Sequence, residues 1–367
     1  MSLFGEKKLG FGCMRLPMNG SVVDEAEFCK MVDAFLEAGF TYFDTAHGYL
    51  QGESEKALKK CLTSRYDRDR YLLTNKLSNP FFNSQEEIRP LFESQLEACG
   101  VTYFDFYLMH AQSRTSFEKF KKCRAYETAL ELKEEGKIRH LGISFHDTAE
   151  VLDRILTEYP QVEAVQLQFN YIDYEDERVQ GRKCYEVCQK HGKRVLVMEP
   201  VKGGRLAGLP EEASSLFASL GGGSDASYAV RWAAGFDLVE MVLSGMSNLE
   251  QTLDNISYMK DFAPLSEKEQ EAVAKVCEII KKQKQIPCTV CKYCVDGCPA
   301  GIPIPSVIAC LNMQKQYESW DGSGNYALWM GDKAKASACI GCGACENECP
   351  QHLPIRELMA EAAKQFE

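Results

Sequence analysis

The sequence has no apolar run that approaches the ~18 residues of a membrane-spanning helix. Its N-terminal stretch, MSLFGEKKLGFGCMRLP, also lacks the apolar segment of a signal peptide. Positive charge is scarce as well, because 42 Lys and Arg residues stand against 53 Asp and Glu residues, for a formal net charge of -11. A nucleic-acid-binding surface needs clustered positive charge. We therefore expect a cytoplasmic protein with no membrane span and no nucleic-acid partner.

Cysteine is the residue type in clear excess, with 17 copies in 367 residues. Nine of them lie after residue 287, whereas eight are dispersed through the longer first part. Disulfide scaffolds are typical of small chains in oxidising compartments, so we expect the dispersed cysteines to be mostly small buried hydrophobic residues. Cys184, Cys188 and His191 share one helical face, but they are a ligand short of a metal site. Their spacing favours packing of a helix against the core. Cys310, which lies outside both cysteine runs, is also expected to be a core residue.

Short β-rich runs alternate with longer amphipathic stretches over residues 1–265. The strand-like runs lie at residues 9–14, 41–46, 71–77, 104–110, 138–144, 164–169, 194–200 and 239–245. Helical patterns lie between them, for example at 24–39 and at 117–136, which Gly136 ends. The alternation predicts an α/β fold with parallel strands, and the length fits the ~250 residues of a (β/α)8 TIM barrel. A doubly wound open sheet is the alternative, but the GxGxxG turn after its first strand is missing.

Polar side chains end three successive strand runs, and this pattern predicts an active site at the mouth of the barrel. Asp44, Lys76 and His110 end the second, third and fourth runs, and Tyr49 follows five residues after Asp44. A free tyrosine has a pKa near ~10, which a neighbouring ammonium lowers. Asp44 could hold that lysine, and His110 could orient a carbonyl oxygen. The group is suited to donating a proton to an oxygen that gains charge as hydride reaches its carbon.

These residues stand in a series of motifs that resembles the aldo-keto reductase family over residues 5–262. The motifs are GFGCMRLP, FDTAHGYLQGESE, TNKL, DFYLMH, GISFHD, VQLQFNY, MEPVKGGRL and SGMSNLEQTLDN. The resemblance implies an oxidoreductase that reduces a small-molecule carbonyl or oxidises an alcohol. It also implies that Tyr49 is the general acid and that Asp44, Lys76 and His110 complete a catalytic tetrad.

The same resemblance implies a nicotinamide cofactor, NADP(H) or NAD(H), at the barrel mouth. Ser144 and Gln166 match residues that hold the carboxamide, and Met198 stands where the family usually stacks an aromatic ring on the nicotinamide. Phe145 replaces an asparagine that is usual in the family. The residues that match the pyrophosphate and adenosine site are Gly245, Ser247, Gln251 and Asn255. Their loop, SGMSNLEQ, carries no basic residue, so we expect no strong selectivity for NADPH.

The C-terminal part contains the run C-x2-C-x2-C-x3-C-P twice, at 288–299 and at 339–350. This run ligates [4Fe–4S] clusters, and its fourth cysteine usually crosses to the other cluster. Zinc is the alternative, although structural zinc favours pairs of C-x2-C. The predicted ligands are Cys288, Cys291, Cys294 and Cys349 for one cluster and Cys339, Cys342, Cys345 and Cys298 for the other. We expect a connecting helix at 266–286 and a small, mostly α-helical ferredoxin-like domain at 287–367.

The combination leaves the source of electrons open, since nicotinamide carries two electrons as hydride and each cluster carries one. In one mechanism the barrel reduces a carbonyl with nicotinamide, and the clusters sense redox state or stabilise the fold. In a second, the clusters exchange electrons with a ferredoxin or another electron carrier, and no nicotinamide binds. In a third, the protein is a redox-sensing regulator without turnover.

Overall fold

The computed structural model describes residues 4–283, 285–316 and 322–367. The chain divides into two compact units. The barrel unit runs up to Val201 and takes in Phe217–Gln270, and the cysteine-rich unit comprises Lys202–Leu216 and the chain from Glu271 onward. The segment after the seventh barrel strand therefore belongs to the second unit, although it lies in the middle of the sequence.

Eight parallel strands of the described residues close into a barrel, which confirms the predicted (β/α)8 fold. The strands are β1 (Leu9–Gly12), β2 (Tyr42–Asp44), β3 (Leu72–Leu77), β4 (Phe104–Gln112), β5 (Ile138–Phe145), β6 (Ala164–Gln168), β7 (Arg194–Met198) and β8 (Val239–Ser244). Each strand pairs with its sequence neighbours, and β1 closes the barrel against β8, with Leu9 opposite Val242. A short hairpin of Met18–Asn19 and Val22–Val23 follows β1. All eight predicted strand runs overlap an observed strand.

Helices follow the barrel strands, as the alternating pattern predicts. They are α1 (Glu25–Glu37), α2 (Glu53–Leu58), α3 (Ile88–Cys99), α4 (Arg114–Lys122), α5 (Ala125–Glu134), α6 (Ala149–Glu158), α7 (Gly181–Lys190), α9 (Asp225–Ala234) and α10 (Leu249–Met259), with α8 (Glu211–Ala218) beginning in the cysteine-rich unit. The single helix expected over 117–136 is wrong, because Arg124 adopts a left-handed conformation (φ 51°) that separates α4 from α5. Gly136, with φ 75°, follows α5 as the predicted stop.

The dispersed cysteines are mostly buried, as expected. Cys184 and Cys188 lie in the main apolar core, and Nε2 of His191 lies 2.6 Å from Asp153 Oδ1, so helix packing explains this group. Cys29 and Cys61 are an exception to the expectation, because the structure joins them in a disulfide. Their Cα atoms lie 4.8 Å apart, within the range that a disulfide spans.

The cysteine-rich unit is helical and has a core of its own. Its helices are α12 (Tyr293–Asp296), α13 (Ile304–Gln316), α14 (Gly322–Met330), α15 (Ala344–Asn347) and α16 (Ile355–Phe366), and α11 (Glu267–Lys282) begins just before the unit. Val307, Leu311, Tyr326 and Met359 are buried in this core together with Cys310. In the described parts of the chain, no helix is both long and apolar enough to cross a membrane.

Candidate active site and cluster cavities

Lys76 is the centre of the polar group at the carboxyl ends of the barrel strands. Its side chain is fully buried on β3, and its Nζ donates to Asp44 Oδ1 at 2.5 Å and to the Thr45 carbonyl at 2.8 Å. The same Nζ lies 3.4 Å from the Tyr49 hydroxyl and 4.9 Å from the centre of the Tyr49 ring. The register of the parallel strands explains this proximity, since β2 and β3 are neighbours.

His110 completes the group from β4. Its ring centre lies 5.9 Å from that of Tyr49, and its Nδ1 lies 2.6 Å from Ser78 Oγ. A hydroxyl that donates to Nδ1 leaves the imidazole proton on Nε2, from which it can be donated to a substrate oxygen. The structure thus brings together all four residues that the sequence places in the tetrad.

Burial shapes the electrostatics of these side chains. Burial raises the pKa of Asp44, whereas Lys76 opposes that shift, and burial lowers the pKa of Lys76 against the attraction of Asp44. The pKa of His110 lies well below its usual value because of burial, with further lowering by Lys76 and His146. His110 is therefore neutral at physiological pH, and the site holds a neutral imidazole beside a buried ion pair.

The residues expected to hold a carboxamide lie on adjacent strands. Ser144 of β5 and Gln166 of β6 are paired in the strand register, and both are buried. Ser144 Oγ accepts a hydrogen bond from the Ala111 N–H, and Gln166 Nε2 donates to Asp44 Oδ2 at 3.0 Å. These contacts leave the Ser144 hydroxyl proton and Gln166 Oε1 to pair with an amide group. Met198 ends β7, with Gln168 opposite it in the register.

The residues expected to hold the pyrophosphate and adenosine lie around the N-terminus of α10. Gly245 and Ser247 precede the helix, and Ser247 Oγ donates to the Arg15 carbonyl. Gln251 Oε1 accepts from the Ser247 N–H, and Asn255 donates to the Gln251 carbonyl within the helix. A helix N-terminus attracts phosphate. Here, Glu27 Oε1 already accepts from the Leu249 N–H at 2.9 Å.

Four cysteines line each of two cavities in the cysteine-rich unit. Cys288, Cys291, Cys294 and Cys349 line the first cavity. Cys298, Cys339, Cys342 and Cys345 line the second. Each cavity thus combines three cysteines of one run with the fourth cysteine of the other, which is the grouping that the spacing predicts.

The two cysteine runs also share a backbone conformation. Val290 and Lys292 of the first run have φ values of 56° and 68°, and Gly341 and Gly343 hold the equivalent positions with 71° and 77°. Left-handed backbone is unfavourable for non-glycine residues such as Val290 and Lys292. Because the first run adopts it all the same, the arrangement of the cysteines requires this backbone conformation in both runs.

The chemistry of the cavities fits an iron–sulfur group. Burial raises the pKa of the Cys294 thiol, and its neighbours Cys291 and Cys349 raise it further, so a cage of thiolates needs a bound cation to be stable. In the described residues, no three or more His, Cys, Asp or Glu side chains form a group around a single metal ion. The donor set of each cavity is instead four cysteine sulfurs drawn from both runs, which is the ligand set of a [4Fe–4S] cluster.

Several residues of these sites carry no signal in the sequence. Ser78 contacts His110 only because β3 and β4 are neighbours. Thr289 and Gln351 line the first cavity, and Lys202 reaches Gln351 from 149 residues away. The motif MEPVKGGRL contains Lys202, but only the fold connects that motif with the cysteines.

Comparison with known families gives two matches. The model of the aldo/keto reductase family matches residues 8–278, and that of the 4Fe-4S dicluster domain matches residues 287–353. The first match covers well over half of the chain, and the second contains both cysteine runs.

Curated relatives and solved structures agree with these matches. The NADH-specific methylglyoxal reductase of Escherichia coli is 28% identical over 198 residues, which cover 48% of this chain and 58% of that protein. The 9,11-endoperoxide prostaglandin H2 reductase of Trypanosoma cruzi is 28% identical over 60% of this chain and 74% of its own length. The holo form of an aldo-keto reductase from Bacillus halodurans superimposes with a TM-score of 0.58 and 27% identity over 73% of this chain and 91% of that one. The chain thus spans only a little over half the length of the first of these relatives.

Proposed function

The chain belongs to the aldo/keto reductase family, and we propose that it reduces a small-molecule carbonyl, or oxidises the corresponding alcohol, at Tyr49. One observation carries the proposal: a fully buried Lys76 Nζ lies within 3.4 Å of the Tyr49 hydroxyl and is held by Asp44. An ammonium in this position stabilises the phenolate that remains after Tyr49 gives up its proton. This position makes Tyr49 the proposed general acid of the site.

The remaining members of the tetrad have separate roles. Asp44 keeps Lys76 charged and in place, because a buried lysine without a counterion loses its proton readily. His110, neutral and oriented by Ser78, donates a hydrogen bond to the substrate carbonyl oxygen. Together, Tyr49 and His110 stabilise the negative charge that develops on that oxygen.

The residues at the mouth fit a nicotinamide cofactor, NAD(H) or NADP(H), which would supply the hydride. The Ser144 hydroxyl would donate to the carboxamide oxygen, and Gln166 Oε1 would accept from its nitrogen. Met198 would lie at the nicotinamide, and the N-terminal end of α10, with Gly245, Ser247, Gln251 and Asn255, would hold the pyrophosphate and adenosine. Glu27 at this helix end favours NAD(H), and the name of the Escherichia coli relative, an NADH-specific reductase, supports that preference.

We further propose that the eight cysteines of the two cavities bind two [4Fe–4S] clusters, which would supply one-electron transfer. The match to a 4Fe-4S dicluster domain and the predicted pairing of the cysteines support this assignment. By sequence, the proposed domain boundaries are 1–265, 266–286 and 287–367, while Lys202–Leu216 packs with the cysteine-rich unit. The cluster assignment also favours a cytoplasmic location, where cluster thiols stay reduced, and the Cys29–Cys61 disulfide is an exception to the usual state of thiols there.

Exchange of electrons with a ferredoxin or another carrier is a second candidate role. Ile340 is 72% exposed and Cys342 is exposed, and both line the second cavity. Exposed apolar surface beside a cluster ligand favours a transient redox partner. In this case the clusters take part in turnover rather than in sensing alone.

Anaerobic purification followed by a carbonyl-reduction assay tests the main proposal. We expect iron and sulfide for two clusters, and oxidation of NADH by methylglyoxal as the probe carbonyl. Tyr49→Phe should lose at least a hundredfold of kcat, because a positioned general acid contributes roughly 10²–10⁴-fold. Tyr103→Phe, at the opposite end of β4, is the matched control and should retain activity. Equal turnover in Tyr49→Phe and the wild type would reject Tyr49 as the acid, and a protein without iron would reject the clusters.

A further inference from the structure

A segment of the reductase motif MEPVKGGRL contacts residues that line the first cysteine cavity. Lys202 is only 4% exposed, and its Nζ donates to Gln351 Oε1 at 3.0 Å. Gln351 lines the first cavity, two residues after the ligand Cys349. A buried ammonium therefore lies one side chain away from the cage of Cys288, Cys291, Cys294 and Cys349.

The residues after Lys202 pack against the same cysteine run. Gly203 has a φ of 65°, and a Cβ there would meet the Thr289 carbonyl oxygen at 2.6 Å and Thr289 Cβ at 2.8 Å. Thr289 lies between the first two ligands and lines the cavity. Arg205 donates to the Ile286 carbonyl at 2.9 Å, two residues before Cys288. The close contact at Gly203 and the Arg205 hydrogen bond hold Lys202 behind Gln351, which lines the cavity.

The second cavity has a different electrostatic environment. Its cationic lining residue is Arg356, which is 54% exposed and lies 2.9 Å from Glu346 Oε2. Water and this carboxylate weaken the field of the guanidinium. The runs differ in the same direction. Lys292, which also lines the first cavity, corresponds to Gly343 of the second run. The first run has one acidic residue, Asp296, against Glu346 and Glu348 in the second.

We propose that Lys202 is a positioning residue of the first cluster and that it raises the reduction potential of this cluster above that of the second, an inference that rests on the proposed binding of two clusters. Reduction adds one electron and makes the thiolate-bound cage one unit more negative, without forming or breaking a bond. A buried cation stabilises the more negative state, and its effect is large where water is excluded. Electrons from a low-potential donor therefore collect on the first cluster.

A redox titration of the anaerobically purified holoprotein, followed by electron paramagnetic resonance with dithionite as reductant, tests this assignment. The wild type should show two midpoint potentials. Lys202→Met should lower the higher one by at least 59 mV, a tenfold change in the one-electron equilibrium constant, and leave the lower one unchanged. Lys202→Arg keeps the charge and should titrate like the wild type. Lys315→Met is the matched control, because it removes a charge on α13 that pairs with Glu361 instead of lining a cavity.

Three outcomes would overturn the inference while leaving the clusters in place. They are a single common midpoint in the wild type, an unchanged higher midpoint in Lys202→Met, and an equal shift of both midpoints. Cys342→Ser, which perturbs only the second cluster, should leave the higher midpoint intact; loss of the higher one would also contradict the assignment. If Lys202→Met fails to take up iron, the wild-type titration and the titration of Cys342→Ser can still contradict the inference. Absence of iron and sulfide from the wild type would instead reject the proposed clusters themselves.

Discussion

At the residue scale, the active-site group is defined by buried charges. Asp44 and Lys76 are both buried, and their 2.5 Å hydrogen bond offsets the cost of removing each from water. His110 is buried beside this pair and faces the positive charge of Lys76, so the site disfavours a second positive charge on the imidazole. Protonation of His110 would place a second buried positive charge beside Lys76 and would therefore destabilise the folded chain.

Protonation of His110 should therefore couple stability to pH. Its pKa in the folded chain lies well below 6.5, so the unfolded chain binds the additional proton as the pH falls below 6.5. The free energy of unfolding should then decrease by about 1.4 kcal/mol per pH unit in this range, and this contribution is fully present above pH 6.5. The measurement is urea unfolding of the wild type and of His110→Gln between pH 5 and pH 7.5. Parallel pH profiles for the two proteins would contradict the expectation.

The sequence predicts those site residues that carry their own chemical signal. A carboxylate, a lysine and a histidine at three successive strand ends are informative, because parallel strands bring these ends together. Ser78 is not informative, since a serine after a strand is common and its contact with His110 depends on the pairing of β3 with β4. Lys202 is also missed, because its partner Gln351 is far away in the sequence and no local pattern connects them.

At the element scale, the proposed phosphate site lies at the N-terminus of α10. Asn248 caps the helix by accepting the Gln251 N–H, and Glu27 of α1 accepts the N–H of Leu249. A carboxylate stabilises the positive end of a helix, but it repels a second anion there. This element thus favours a cofactor that carries less negative charge at its adenosine end.

Removal of the Glu27 charge should change the preference between cofactors. In Glu27→Gln we expect the KM for NADPH to fall about two- to fivefold relative to that for NADH, since a charge at a helix end contributes about 0.3–1 kcal/mol. Steady-state kinetics with both cofactors measure the ratio. Glu25→Gln is the matched control, because this neighbour on α1 pairs with Lys60. NADPH differs from NADH by its 2′-phosphate. Equal changes in the KM for both cofactors in Glu27→Gln would therefore exclude an effect of Glu27 on that phosphate.

Element types were easier to predict than their ends. The buried runs of the eight strands are apolar and flanked by polar residues, so their positions follow from composition. The break between α4 and α5 has no glycine or proline to mark it, because Arg124 itself takes the left-handed conformation. The segment Lys202–Leu216 follows a barrel strand in sequence, yet its packing partners lie in the cysteine-rich unit.

At the scale of the whole molecule, the two units have separate cores and differ in what stabilises them. The barrel unit has a large apolar core with many aromatic side chains. The core of the cysteine-rich unit is small, and Cys294 and Cys345 are part of it. Without iron and sulfide, the two cavities in this small core would lack packing atoms, and buried thiols would lie close together. We infer that cluster binding supplies much of the folding free energy of this unit.

Removal of the clusters should therefore unfold one unit and leave the other intact. After treatment with ferricyanide and EDTA, we expect the amide protons of α13 and α16 to lose protection against hydrogen exchange, while those of β4 and β5 stay protected. Calorimetry should show one transition that depends on iron and one that does not, because each core melts by its own contacts. Reconstitution with iron and sulfide controls for irreversible damage and should restore protection. Full protection of α13 and α16 in the iron-free protein would show that the apolar core alone holds the unit together, and cluster binding would then be decoupled from its folding.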